Sequence, residues 1–105
     1  MKKQYNPLAG EMMTPRNSEV YMHLAMLELA TLECEALGIE VEKVEWFDTG
    51  RPRLVARDNT TTRKMAQNQR AFNYGTEVKN GTRRYLMQMT IKGVKVIWST
   101  DTIKH

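Results

Sequence analysis

An alternation of apolar and polar residues near the C-terminal end limits the folds open to this chain. It surrounds Asn80-Gly81, a dipeptide that strongly favours a two-residue β-hairpin turn. With the turn placed there, Glu77 lies opposite Arg84, and a second turn is expected at Lys92-Gly93. The chain is therefore predicted to contain an antiparallel sheet with one apolar face and one polar face.

The same register assigns side chains to the two faces. It places Tyr74 opposite Met87 and Phe72 opposite Met89. The face expected to meet a helix carries Phe72, Tyr74, Tyr85, Met87, Met89, Ile91, Val94, Val96 and Trp98. The open face carries Asn73, Glu77, Lys79, Thr82, Arg84, Gln88, Thr90, Lys95 and Ser99, with Leu86 and Ile97 among them. An open face without aromatic rings disfavours base stacking.

The stretch from Val20 to Leu37 is predicted to be a long helix with more apolar surface than one sheet covers. Thirteen of its eighteen residues are apolar. Ser18 or Asn17 is expected to cap its start, and Gly38 to end it. One apolar stripe consists of Met22, Ala25, Leu29, Leu32 and Ala36, and a second of Val20, Leu24, Leu27 and Cys34. Burying one stripe exposes the other, so we predict a homodimer through this helix or contact with a partner chain.

Two segments connect the helix to the C-terminal hairpin. Residues 43–58 are predicted to form a ribbon with its turn at the letters DTGR, and Pro52 favours a place at the sheet edge. Residues 59–69 are polar and lack a clear apolar period. Either a long loop or a short polar helix fits them.

Residues 1–17 are predicted to form an N-terminal arm, followed by a single domain over residues 18–105. Proline and glycine interrupt the arm, and no apolar period is visible in it. Leu8, Met12 and Met13 are candidate partner-binding anchors, because extended segments bind grooves and sheet edges. The alternative is an arm that folds back and shields the helix.

The charges divide along the chain. Residues 18–50 hold eight acids and one base, whereas residues 51–105 hold twelve bases and three acids, within a net charge of +4. This asymmetry favours either an anionic partner or attraction between the two halves. The candidate nucleic-acid contacts are Arg57, Arg63, Lys64, Arg70, Lys79, Arg84 and Lys95.

No catalytic or metal-binding pattern is recognisable. His23 and Cys34 lie eleven residues apart in one predicted helix, so they do not converge as a metal site or a nucleophile pair. The six glycines are scattered at turns and form no phosphate-binding loop. We therefore predict a protein that is not an enzyme, with no catalytic, cofactor-binding or metal-binding residue.

Composition bears on the compartment. Cys34 is the one cysteine, so no disulfide can form within the chain. The opening letters MKKQYNPLAG contain no apolar run of the kind a secretory signal has, and no stretch has the roughly 18 apolar residues of a membrane span. A cytoplasmic location without membrane contact is expected.

Two segments resemble small accessory proteins encoded by phages and prophages. They are ALGIEVEKVEWFDTGRPRLVARD (36–58) and RRYLMQMTIKGVKVIWST (83–100). Such proteins often join a short helix to a ribbon of similar letters and end near a strand of this kind. The resemblance implies a compact, non-enzymatic protein that binds and modulates a host or phage component.

Together these features predict an α+β fold in which one long N-terminal helix packs on an antiparallel sheet of four to five strands. The predicted function is a small binding protein that modulates or inhibits a host or phage protein by covering its surface. The alternative is a nucleic-acid-binding protein that uses the basic segment 57–70 and the open sheet face.

Overall fold

The computed structural model describes residues 4–6 and 11–101. In chain order, the elements are β1 (Gln4–Asn6), β2 (Glu11–Met13), α1 (Pro15–Leu37), β3 (Val41–Glu45), β4 (Arg53–Ala56), α2 (Thr60–Gln67), β5 (Phe72–Lys79), β6 (Thr82–Ile91) and β7 (Val94–Thr100).

The main sheet has five strands in the order β3-β4-β7-β6-β5. Its neighbours pair antiparallel except β4 and β7, which run parallel with Leu54 beside Val96. The chain reaches the far edge of the sheet through the segment that contains α2. Strands β1 and β2 form a separate antiparallel pair next to α1. One long helix beside a mostly antiparallel five-stranded sheet confirms the predicted α+β fold.

The start of α1 differs from the prediction. Thr14 is the N-cap, and its side chain accepts a hydrogen bond of 3.3 Å from the amide of Asn17. Neither Ser18 nor Asn17 caps the helix, because Pro15 suits the first helical turn, where a missing N–H leaves nothing unpaired. Residues 15–17 therefore belong to α1. Gly38 ends the helix as predicted, with a left-handed φ of 85°.

The two predicted hairpin turns are confirmed. Asn80 and Gly81 have φ values of 53° and 76°, and Lys92 and Gly93 have values of 51° and 78°. Positive φ at both central positions is the geometry of the tightest hairpin turns. Glu77 lies opposite Arg84, as predicted.

The predicted register fails farther along the same hairpin, because β5 contains a bulge between Asn73 and Gly75. Asn73 lies opposite Met87 and Phe72 opposite Gln88, so the pairs Tyr74–Met87 and Phe72–Met89 are wrong. The Asn73 side chain donates hydrogen bonds to the carbonyls of Gly75 at 2.9 Å and Leu86 at 3.1 Å, which stabilises the bulge.

The core lies between α1 and the inner face of the sheet. Its buried members are Leu27, Ala30, Cys34, Ile39, Leu54, Ala56, Met65, Ala71, Met87, Met89, Ile91, Val94, Val96 and Trp98. Burial raises the pKa of the Cys34 thiol, with a smaller contribution from Glu33. A buried thiol with a raised pKa is a poor nucleophile, so Cys34 serves as a small core residue.

The polar segment 59–69 contains a short helix, the second of the two alternatives. Asn59 and Thr62 form a reciprocal capping box: each side chain accepts a hydrogen bond of 2.9 Å from the other residue's amide. Thr62 and Met65 are buried, which holds α2 against the rest of the fold. The basic side chains of this segment are therefore carried by an ordered helix.

We expect Asn59→Ala to lower the free energy of unfolding by about 1 kcal/mol, because it removes one half of the capping box. The measurement is the urea midpoint of unfolding, with Gln67→Ala at the other end of α2 as the control. Gln67 is exposed, so its replacement should change the free energy by less than about 0.5 kcal/mol. Equal midpoints for the two variants would contradict a stabilising capping box.

Candidate functional site

The outward side of α1 carries an uncovered apolar surface. Leu27, Ala30 and Cys34 face the sheet and are buried. At 3.6 residues per turn, the stripe of Met22, Ala25, Leu29, Leu32 and Ala36 lies about 150° around the helix axis from them. Met22, Leu29 and Leu32 are 55%, 57% and 61% exposed. These five residues are named the α1 stripe below.

Carboxylates border the α1 stripe on both sides. On a helical projection, Glu28 and Glu35 follow one edge and Glu33 lies along the other. None of the three forms an ion pair with another described residue. Arg16, in the first turn, is the one Lys or Arg of α1. The exposed side of this helix is therefore an apolar band with an acidic border.

Exposed apolar patches of a few hundred Å² on soluble domains usually mark binding surfaces. The α1 stripe therefore indicates that the fold leaves an interaction surface uncovered.

A second candidate surface is the open face of the sheet. It forms a groove of about 750 Å³, and both edge strands contribute to its walls. Lys43 and Glu45 come from β3, Tyr74 and Glu77 from β5, and the central strands supply Val55, Leu86 and Ile97. Since the groove is lined by four acids and four bases, it has no overall charge.

Tyr74 is the residue of this groove that the sequence assigned to the wrong face. It is 41% exposed, and Phe72 is 63% exposed, whereas both were predicted to face the helix. Partial burial and the nearby Glu45 and Glu77 raise the pKa of the Tyr74 hydroxyl, and Arg53 opposes this shift. A glycine inside a strand often marks a bulge, so Gly75 is the sequence signal that could have located the register change.

The predicted nucleic-acid contacts do not form one basic surface. Arg57, Lys79 and Arg84 line the open-face groove. Arg63 and Lys64 line a separate pocket of about 320 Å³ beside α2. Lys95 lines a third pocket with Arg51 and Arg53, and Arg70 is exposed after α2.

Three of these seven cations contact acids of the same chain. Arg57 lies 3.4 Å from Glu40 and 3.5 Å from Glu42. Arg63 donates two hydrogen bonds of 3.2 Å to Asp58. Such pairs reduce the positive potential available to phosphates.

The third cation, Arg84, is held at the floor of the open-face groove. It donates to the side-chain oxygen of Ser99 at 2.7 Å and to the Ser99 carbonyl at 2.9 Å, and it lies 4.0 Å from Asp58. Among the described residues, Lys64, Arg70, Lys79 and Lys95 form no ion pair. The free cations are thus spread over several elements.

Most of the predicted anchor side chains of the arm lie outside the part of the chain that the structure describes. Leu8 is not among the described residues, and only the backbone of Met12 is described, as part of β2. Met13 ends β2 and is half-buried. Their role in partner binding stays a prediction.

The described residues contain neither a group of metal ligands nor a helix that could span a membrane. Across residues 4–6 and 11–101, no three His, Cys, Asp or Glu side chains are grouped to hold a metal ion. Over the same part of the chain, no helix combines the length and apolarity needed to cross a membrane.

The comparisons with known proteins place the chain among relatives. The family described as "Uncharacterised protein" matches residues 5–101. A protein of Haemophilus influenzae, described as an uncharacterized protein, is 64% identical over 105 residues, with the whole of both chains covered. No solved structure matches the chain significantly.

Proposed function

We propose that this chain, which belongs to the family described as "Uncharacterised protein", is a small non-enzymatic binding protein that modulates or inhibits another protein by covering its surface. The observation that carries the proposal is the α1 stripe, where large apolar side chains remain about half exposed on a well-formed helix. An apolar helix face left uncovered by its own fold is a typical protein-docking surface. The resemblance to phage and prophage accessory proteins implies the same class of function.

Site-specific photo-crosslinking in the native cells tests this proposal. A photoreactive amino acid replaces Leu32 in the α1 stripe, Thr31 one position around the same helix, or Thr82 on the open face. We expect a discrete protein adduct from position 32, a weaker one from position 31 and none from position 82. Adducts from position 82 alone would contradict the assignment of the binding surface to α1.

Nucleic-acid binding is the alternative function. The observation that favours it is that Tyr74 lines the same groove as Lys79 and Arg84, because a groove that holds an aromatic ring and cations can stack a base and contact the phosphate backbone. Four acids in the same groove oppose it, because they repel phosphates. A protein partner therefore remains the leading proposal.

A mobility-shift titration of labelled duplex and single-stranded DNA and RNA separates the two functions. We expect weak binding by the wild type, and no greater effect of the double substitution Lys64→Glu and Lys79→Glu than of the control Arg16→Glu with Lys92→Glu, two exposed positions outside the candidate contacts. The result that would establish the alternative is tight binding that weakens by roughly one log-log slope unit in salt for each phosphate contact, together with a selective loss in the first double variant.

A further inference from the structure

We propose that the occupant of the α1 stripe is an amphipathic helix of another protein, with Lys or Arg residues flanking its apolar positions. This inference rests on the proposed function, because it names the partner of the same surface. Three features support it: the spacing of the α1 stripe, the carboxylates on its border, and the repulsion between these carboxylates when two copies of the chain pair.

The spacing of the α1 stripe is that of a helix-pairing seam. Its five residues follow one another at intervals of three, four, three and four. Apolar residues with this alternation occupy the a and d positions of coiled coils, where side chains of one helix insert between those of the other. The stripe spans fourteen residue steps, or about 21 Å. Ala25 and Ala36 leave space beside the larger Met22, Leu29 and Leu32, into which a partner's leucines can insert.

The border of the stripe selects the charge of the partner. Glu28 and Glu35 occupy the positions that flank the seam on one side, and Glu33 the position on the other. Residues at these flanking positions choose between partners of opposite and equal charge. Because the border is acidic and without ion pairs among the described residues, a basic helix is attracted on both sides.

A second copy of this chain fits the border less well. With parallel helices, Glu28 of one copy lies beside Glu33 of the other. With antiparallel helices, Glu28 of one copy lies beside Glu35 of the other. Each like-charge contact is destabilising, and the symmetry of a homodimer produces two of them. The repulsion weakens self-pairing, whereas the same positions attract Lys or Arg.

The apolar contribution alone is modest, so these charges matter. Met22, Leu29 and Leu32 are already almost half covered, so binding removes only the remaining part of each side chain from water. The apolar gain from three such side chains is no larger than the lower estimates for the cost of association. Complementary flanking charges then decide which helix binds.

Three synthetic helical peptides of about four heptads test the inference. The first has Leu at the seam positions and Lys at the flanking positions, and the second has Glu in place of Lys. The third has the Lys composition with the apolar positions scrambled. Fluorescence anisotropy is expected to give at least tenfold tighter binding of the first peptide than of the second, and no measurable binding of the third.

A charge-reversal pair on the protein completes the test. The variant Glu28→Lys with Glu35→Lys should reverse the preference, so that the Glu-flanked peptide binds more tightly. The control Asp48→Lys with Glu77→Lys makes the same change in net charge on exposed or half-exposed positions away from α1, and it should leave the preference as in the wild type.

Three results would overturn the inference. They are equal affinity for the first two peptides, equal binding of the scrambled peptide, and a stable homodimer by sedimentation that Leu29→Ala dissociates. If position 32 still crosslinks to a protein other than this chain in any of these cases, the proposed function stands and only the nature of the occupant changes. If those crosslinks are absent, both proposals fail.

Discussion

Replacing Leu54 with alanine is expected to lower the free energy of unfolding by about 3 kcal/mol, a typical cost for removing a buried leucine and leaving a cavity. Leu54 is fully buried in β4, where it lies between Val44 of β3 and Val96 of β7. The matched control is Leu32→Ala on the outward side of α1, where the same side chain is 61% exposed. This control should change the free energy by less than about 0.5 kcal/mol.

Urea denaturation of both variants at micromolar concentration measures this difference. Low concentration matters because it disfavours self-association. If two copies paired through α1, the stability lost in Leu32→Ala would depend on protein concentration. Equal losses in the two variants at every concentration would contradict the assignment of Leu54 to the core and of Leu32 to an uncovered surface.

The double substitution Leu29→Ala and Leu32→Ala is expected to weaken binding of the Lys-flanked peptide roughly 30- to 100-fold. It removes about 2–3 kcal/mol of apolar burial from the seam. The thermal midpoint should stay close to that of the wild type, because both side chains lie outside the core and alanine favours helix. Binding is measured by fluorescence anisotropy, and stability by thermal unfolding.

Leu24→Ala is the matched control for this loss of binding. Leu24 is 49% exposed on the same helix, but it lies about 120° around the axis from the α1 stripe. We expect it to bind the peptide within a factor of two or three of the wild type. A similar loss in Leu24→Ala and the double variant would indicate non-specific apolar contact rather than a defined seam.

The sequence predicted the fold where local rules agree with tertiary packing. Asn80-Gly81 fixed one turn, and the alternation of β6 and β7 fixed which residues meet α1. Gly38 ended α1 as predicted, because a left-handed residue is needed there and glycine adopts it without strain. The two stripes of α1 predicted that one apolar surface would stay uncovered, and the exposed Met22, Leu29 and Leu32 agree with that expectation.

Two wrong predictions, the register of β5 and the start of α1, came from single residues that override the apolar periodicity. The bulge between Asn73 and Gly75 shifts the pairing by one residue, which sends Phe72 to the opposite face. Thr14 caps α1 because Pro15 follows it, although the apolar period begins only at Val20. The parallel pairing of β4 with β7 depends on a contact between segments about forty residues apart, which no local pattern reports.

Only part of the candidate site could be predicted from the sequence. The five residues of the α1 stripe and the carboxylates around them can be read from their spacing. The burial of the second stripe could not be predicted: Leu27 and Cys34 pack against the sheet, whereas Val20 and Leu24 of the same stripe are 51% and 49% exposed. The ion pairs that Arg57 and Arg63 form with nearby acids depend on side-chain placement, so the sequence does not show which of the predicted cations are paired.

The central claim is that the α1 stripe is the surface through which this chain binds another protein. Methyl NMR of methionine-labelled protein tests it directly, because Met22 lies in the stripe whereas Met87 and Met89 are buried in the core. On titration with the Lys-flanked peptide, we expect the Met22 methyl signal to shift to saturation while the Met87 and Met89 signals stay in place. A Met22 signal that does not move at any peptide concentration would contradict the claim.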